Sequence, residues 1–422
     1  MVKLDVTKKI LAKASGREKV EAGEFIDAKI DIAMIHDLTG PLALTAFEKL
    51  KNKKVWDRNK IVIVFDHQTP ADRVYSAELH KRLRKFASEY DISNLYDVGR
   101  AGICHQVLPE KGYVRPGEVI IGADSHTCTY GALGAFATGV GSTDVAAVFS
   151  TGKLWFKVPE ALKVEIKGEL KRYVSPKDVI LHVAAILGED GANYKTLEFS
   201  GSTIANMSVD GRMTMCNMAI EMGAKNGIIE PDSKTLNYVK QRTKIPFTPI
   251  FSDKDAEYED KLNLDVSGLE PQVACPYHVS NVKPVSEIED VEIDQAVLGS
   301  CTNGRLEDLR IAANILKDKK INEKVRMIVI PASQQIFLEA LNEGLIEIFI
   351  KAGAFVSSAT CGPCMGGNLG LLADDEVCVS STNRNFVGRM GSSKSKVYLA
   401  SPATVAASAL TGKITNPKEV LK

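Results

Sequence analysis

The sequence predicts an α/β protein built mainly on parallel sheets. Three observations carry that prediction. Short apolar runs alternate with amphipathic helical patterns along the chain, the rhythm of strand–helix–strand units. At 422 residues and 45% apolar, the chain is long enough for two or three domains with separate cores. Polar clusters also fall just beyond the ends of the predicted strands, where open parallel sheets bind ligands.

IVIVF (61–65) reads as a buried strand. A helix over 74–90 follows, with Leu79, Leu83, Phe86 and Tyr90 on one face. VIIG (119–122), AVLG (296–299), MIVIP (327–331) and VCVSS (377–381) are strands of the same buried type. LKVEIKGEL (162–170) alternates instead, as a half-exposed strand opening a second α/β unit. Ser175-Pro176 predicts the N-cap and first residue of a helix over 177–187. The charged, turn-rich stretch 252–270 reads as a boundary before the cysteine-bearing region. The expected division is 1–160, 161–270 and 271–422, with no repeat or low-complexity segment.

Lys plus Arg equals Asp plus Glu, at 53 each, with no basic stripe or acidic tail. That balance argues against a nucleic-acid or anionic-membrane partner. No apolar stretch approaches the ~18 residues of a spanning helix, and the N-terminus lacks a signal-peptide core. Eight scattered cysteines do not make a secreted disulfide framework, so a cytoplasmic chain with reduced thiols is expected.

The polar clusters point to chemistry. Asp66-His67 follow IVIVF, Asp124-Ser125-His126 follow VIIGA, and His105 stands in ICHQ. A carboxylate beside an imidazole fixes its tautomer and raises its pKa, which suits proton transfer near neutral pH. For any one histidine the plainer alternative is a satisfied polar network capping a sheet. His80 and His182 sit inside helical patterns and read as structural or surface residues. Arg384 and Arg389, in TNRNFVGRMG, suit a di- or tricarboxylate, because each guanidinium can clamp a carboxylate bidentately. The alternative is two surface ion pairs, each worth under about 1 kcal/mol. The flanking asparagines and glycine favour the clamp.

Cys301, Cys361 and Cys364 also follow apolar runs, in AVLGSCTNG and AFVSSATCGPC. Three thiolates can hold an iron–sulfur cluster but fall one short of the usual four. One iron would then stay open to substrate as a Lewis acid. A zinc site would need a fourth ligand, and the nearest histidine to Cys301 is His278. CGPC is also the thioredoxin tetrapeptide, but here Ala359-Thr360 precede it rather than a tryptophan. Cys301 lies before a predicted helix over 306–316, whose N-terminus would favour a thiolate. Gly362, Gly366 and Gly367 let the backbone approach a bulky group. Cys104, Cys128, Cys216, Cys275 and Cys378 have no such setting and read as small hydrophobes. GVGSTD (139–144) is a fragment of a dinucleotide fingerprint without its third glycine, and no clear strand precedes it.

Taken together, AMIHDLTGP, FDHQTPA, GICHQVLPEKG, GADSHT, CNMAIEMGA, GSCTNGRLEDLR, CGPCMGG and TNRNFVGR resemble the aconitase family of iron–sulfur hydro-lyases. They occur in the family's order from residue 33 to residue 389. The resemblance implies three α/β/α domains around a central cleft holding one [4Fe–4S] cluster per subunit, on Cys301, Cys361 and Cys364. His67, oriented by Asp66, would protonate a departing hydroxyl. His105 with Asp124, and His126 with Glu221, would be supporting pairs. Asn217 lies four residues before Glu221, so on a helix both reach one face. It is expected at the substrate with Arg384, Arg389, Ser125 and His36, while Asn383 belongs to the cluster's surroundings.

Wording and length are most similar to an archaeal-type, two-subunit branch of the family. That implies a reversible dehydration of a small hydroxy di- or tricarboxylic acid, the 2- and 3-isopropylmalate pair or its homocitrate counterpart. The family's mobile fourth domain carries the base that removes the α-proton, and only 33 residues follow Arg389. A separate small subunit is therefore expected to supply it, in a heterodimer or heterotetramer. A cluster-sensing RNA-binding role, which some relatives have, fits the neutral charge poorly. Thr360 and Tyr130 depart from the family's usual glycine and histidine, and are expected to touch no proposed ligand or acid.

Overall fold

The computed structural model describes residues 3–51, 53–288 and 290–420. Among them, four sheets organise the chain. The first is all-parallel, in the order Leu95–Tyr96, Ile61–Val64, Ile32–His36, Val119–Gly122, Phe136–Gly139. Its central strands are buried on both faces, which is why they read as unbroken apolar runs. An antiparallel ribbon, Phe25–Lys29 with Lys153–Lys157, contributes Ile26, Ala28, Leu154 and Phe156 to the same core.

The second sheet is also parallel, in the order Asn226–Ile228, Thr196–Ser200, Ala161–Lys167, Asp260–Asp265. Its last strand corrects the sequence reading: 252–270 is not only a boundary. Asp260–Asp265 forms a solvent-exposed edge, where exposed polar residues (Lys261, Asn263, Asp265) alternate with half-buried Leu262 and Leu264. The third sheet has seven strands. Val282–Pro284 and Gln272–Ala274 run antiparallel at one side. Lys396–Ala400, Val377–Ser380, Gln295–Leu298, Arg326–Val329 and Phe355–Val356 are mutually parallel.

Helices cover both faces of the first and third sheets. Phe47, Phe86 and Phe149 pack on one side of the first, and Leu108, Tyr130 and Leu133 on the other. Leu309, Phe349 and Ala406 cover one side of the third. On its other side Val297, Cys378, Val397 and Leu399 join Ile180, Leu197, Phe199 and Met215, so the second and third sheets share one core. No described helix is long and apolar enough to cross a membrane.

The loops beyond the carboxyl ends of the first and third sheets meet. The Ile103 amide donates to the Ala332 carbonyl at 2.8 Å, and the Cys361 amide to the Asp66 carbonyl at 2.7 Å. The 3₁₀ segment Ser125–Leu133 seats against Asn226–Ile228 through Gly131, where a Cβ would stand 1.7 Å from the Gly227 carbonyl oxygen. Two backbones would have to separate, so Gly131→Ala is expected to cost at least about 3 kcal/mol. A melting curve and cleft-ligand affinity measured together would check it, and an unchanged melting temperature would contradict the close approach.

Candidate active site

Six strand ends deliver the polar clusters to one cleft of about 310 Å³. Twelve of the residues expected from the sequence line it: His36, His67, His105, Asp124, Ser125, His126, Cys301, Cys361, Cys364, Asn383, Arg384 and Arg389. Asp66, Asn217 and Glu221 stand directly behind them, each bonded to a lining residue. A larger hollow of about 460 Å³ adjoins this cleft, sharing Asp124 and Ser125, but no thiol or histidine lines it.

The His67 loop is held from below. Asp37, just past Ile32–His36, accepts the amides of Asp66 (3.1 Å), His67 (2.9 Å) and Gln68 (2.7 Å), and contacts His80 at 3.3 Å. Burial alone would raise the Asp37 pKa, but the His80 hydrogen bond, the charge of His67 and the His67 backbone amide override it and hold it well below the usual carboxylate range. A depressed carboxyl stabilises the fold above its ordinary pKa and loses that contribution as pH falls toward the lower folded value. Asp37→Asn is therefore expected to cost about 1–3 kcal/mol at pH 7. Melting curves of the two proteins should converge in acid, and a gap that persists at low pH would count against this account.

His67 Nδ1 lies 2.8 Å from Asp66 Oδ1 and 3.8 Å from Cys361 Sγ. Its Nε2 faces Asp124 Oδ2 at 3.6 Å across the cleft. Burial works against charge here, yet Asp66, Asp124 and Asp37 raise the imidazole to about 9, so it is protonated at neutral pH. His36 stacks on it with ring centroids 3.8 Å apart. The Leu38 amide points to His36 Nδ1 at 3.3 Å, which marks that ring as neutral.

Asp124 is the opposite pole. Its Oδ1 accepts from the His126 amide and meets His105 Nε2, both at 2.8 Å, while Oδ2 stands 3.6 Å from His36 Nε2 and from His67 Nε2. Despite burial, these imidazoles and the amide keep it ionised. His126 Nε2 meets Glu221 Oε1 at 2.7 Å, and Glu221 Oε2 accepts from Arg384 Nε at 2.9 Å. That fixes the Nε edge of Arg384, which lines the cleft. Arg389 Nε is buried with no protein partner.

The cysteines are also set from behind. Asn217 Nδ2 and Asn383 Nδ2 each donate to Cys301 Sγ at 3.2 Å, and Asn383 Oδ1 lies 3.4 Å from Cys364 Sγ. Burial, then neighbouring thiols and carboxylates, pushes the Cys301 and Cys361 thiols up, so they would stay protonated without a bound metal to share their charge. Among the described residues the one group of three or more potential ligands lying within 4.8 Å of one another is His36, Asp37, Asp66 and His67. The three sulfurs are thus spread wider than the roughly 3.8 Å S···S separation of a tetrahedral zinc site. The metal-ligand atoms of that histidine–aspartate group are already engaged by amides and by one another.

Several expectations change. The helix Leu306–Leu316 does not serve Cys301: its N-terminal Arg305 amide donates to Asp308 Oδ2 at 3.0 Å, and side-chain amides stabilise the sulfur instead. Asn217 is fully buried behind Cys301, its oxygen accepting from Thr302 Oγ1, so it belongs with Asn383 in the cysteines' surroundings rather than at the substrate. Thr360 and Tyr130 do touch the machinery: Thr360 Oγ1 donates to the Asp66 carbonyl at 2.8 Å, and the Tyr130 hydroxyl meets His105 Nδ1 at 3.1 Å. GVGSTD does follow a strand, Phe136–Gly139, and opens the helix Ser142–Thr151.

Three supports were missed. Asp37 was visible only as a neighbour of His36. Arg305, buried, binds the carbonyls of Cys301 and Thr302 at 2.8 Å each. Lys177, also buried, donates to the Ser381 and Thr382 carbonyls just before Asn383. Nothing in SPKDV distinguishes that lysine from a surface one.

Fold and site together define an α/β protein whose three thiols, acid–imidazole pairs and arginines converge on one cleft. The family model described as "Aconitase family (aconitate hydratase)" matches residues 8–412. The chain belongs to the aconitase family. It is 58% identical over 414 residues to a Methanothermobacter thermautotrophicus protein named "Probable 3-isopropylmalate dehydratase large subunit", covering 98% of this chain and 99% of that one. It is 56% identical to "3-isopropylmalate dehydratase large subunit 1" of Methanopyrus kandleri, covering 99% of each. It is 55% identical to the "Probable methanogen homoaconitase large subunit" of M. thermautotrophicus, again covering 99% of each.

Proposed function

We propose that this chain is the large, cluster-bearing subunit of a hydro-lyase that interconverts 2-isopropylmalate and 3-isopropylmalate by dehydration and rehydration. The observation that carries the reading is the charged His67–Asp66 pair opening onto the same cleft as three thiols and two arginines. The names of the most similar relatives point the same way. Cys301, Cys361 and Cys364 would hold a [4Fe–4S] cluster, which when bound would supply Lewis-acid chemistry to the loss of the substrate's hydroxyl.

The chain's own residues do the rest. His67, protonated at neutral pH and oriented by Asp66, gives its Nε2 proton to the departing hydroxyl and takes a proton back when water re-adds in the second half of the cycle. Arg384 and Arg389 clamp the carboxylates, the first held in line by Glu221. His105, Asp124 and His126 fix the polar wall opposite, with Ser125 and His36 at its edge. Asn217 and Asn383 orient the cysteine sulfurs.

The three large sheets divide the chain into units with boundaries near residues 160 and 270, the second and third packed on a common core. A small subunit, implied by the relatives' names, closes the cleft and contributes the base for the carbon-bound proton. The assembly is a cytoplasmic heteromer, consistent with eight unpaired cysteines. The homoaconitase reading stands second, favoured by the 55% identical relative. Anaerobic reconstitution with iron and sulfide, then assays with candidate small subunits on isopropylmalate, homocitrate-derived and citrate-derived acids, decides between them. Turnover of the homocitrate series alone would overturn the first reading.

A further inference from the structure

Tyr130 is fully buried, and its hydroxyl has two neighbours. One is His105 Nδ1 at 3.1 Å, the other the Cys104 carbonyl at 3.3 Å. On the far side of the same imidazole, Nε2 lies 2.8 Å from Asp124 Oδ1. A neutral imidazole carries one proton for two nitrogens, so what faces one nitrogen decides the other.

We propose that Tyr130 is a positioning residue for the cleft: its hydroxyl donates to His105 Nδ1, selects the Nε2–H tautomer and thereby fixes Asp124 by Oδ1, with Oδ2 facing His67 and His36. The opposite arrangement leaves a short contact unexplained. Were Tyr130 to donate only to Cys104, Nδ1 would carry the proton, and a neutral Nε2 would set its lone pair 2.8 Å from a carboxylate. Only a doubly protonated ring would satisfy both sides. Burial disfavours that ring and outweighs the help of the Asp124 and Asp66 carboxylates, while His126 opposes charge as well. The hydroxyl can still swing to Cys104 if His105 takes a second proton, so neither state strands a buried group. The groups facing His105 are Asp124, His126 and Asp66 beside Tyr130 itself, with the Cys104 carbonyl as the hydroxyl's second acceptor.

The residue matters for the reaction because Asp124 Oδ2 is the charge nearest His67 Nε2, at 3.6 Å. The catalytic consequence rests on the function proposed above, but the tautomer does not. The test is therefore ¹⁵N-histidine NMR of the anaerobically reconstituted chain, with His105 assigned by its loss in His105→Gln. The expected result is a neutral, Nε2-protonated His105 at pH 7, and a shifted tautomer ratio in Tyr130→Phe. Turnover of the two-subunit enzyme should fall about tenfold in Tyr130→Phe, with KM within twofold. A His105 protonated at Nδ1 in the parent, or an unchanged ring in Tyr130→Phe, would overturn the proposal. Should Tyr130→Phe fail to take up iron, 3,5-difluorotyrosine at position 130 keeps the shape and donates more strongly. It should then lower the pH at which His105 takes its second proton, and no change would be equally decisive. A parent that holds the expected tautomer yet turns over no isopropylmalate would count against the function alone.

Discussion

Replacing His67 with alanine is expected to lower turnover by about 10²–10⁴-fold while leaving the cluster's absorbance intact. The effect is large because no other group can take over. His36 stacks on His67, but the backbone amide at its Nδ1 marks it as neutral. His105 and His126 spend Nε2 on Asp124 and Glu221. Asp66→Asn should act on the same proton more gently. The raised imidazole pKa owes most of its support to Asp66, so its loss moves the alkaline limb of the rate profile toward lower pH. The sign follows from linkage: a group charged by its partner stays charged to higher pH, and stability gained that way disappears as pH rises through the folded pKa. Steady-state rates from pH 6 to 10 on reconstituted enzyme would check both. Near-parental turnover in His67→Ala would remove the acid from the scheme.

Cys301→Ala is expected to abolish iron and sulfide uptake, and turnover with it. Two remaining thiols cannot hold a cube that three hold only minimally. The damage reaches further than one lost ligand. Asn217 Nδ2 and Asn383 Nδ2 both end on this sulfur. Removing it leaves two buried amide donors short of a partner, worth about 1–3 kcal/mol each. Asn217 keeps Thr129 and Thr302, so the loss should be local. Iron and sulfide analysis with a melting curve would read both effects. Stoichiometric loading of the alanine protein would show that the ligands lie elsewhere.

Much of this was legible from the chain alone, for definable reasons. Ile61–Val64 and Val119–Gly122 could be found because strands buried on both faces admit no polar residue. The functional clusters could be found because parallel sheets deliver their loops to one edge, so a run of apolar residues ending in Asp-His or Ser-Cys is itself a signal. What escaped was geometry across the chain. Asp260–Asp265 hides as a strand because an edge exposed to water tolerates charges. Asn217 shares a motif with Glu221, yet the helix Val209–Asn217 gives way there to a 3₁₀ turn, and the two face different neighbours. Lys177 and Arg305 carry no mark of burial, since a cation that donates to carbonyls inside a protein has the same letter as one in water. Tyr130 read as a neutral difference of family wording, and only its distance to His105 shows what it touches.

The cysteine cradle draws on parts of the chain that are synthesised far apart. Asn217 precedes Cys301 by 84 positions, and Asn383 follows it by 82. The His67 loop, which meets the amide of Cys361, was made 294 residues before the cysteine contact that completes it. The cradle around Cys301 therefore cannot be completed before residue 383 has been made.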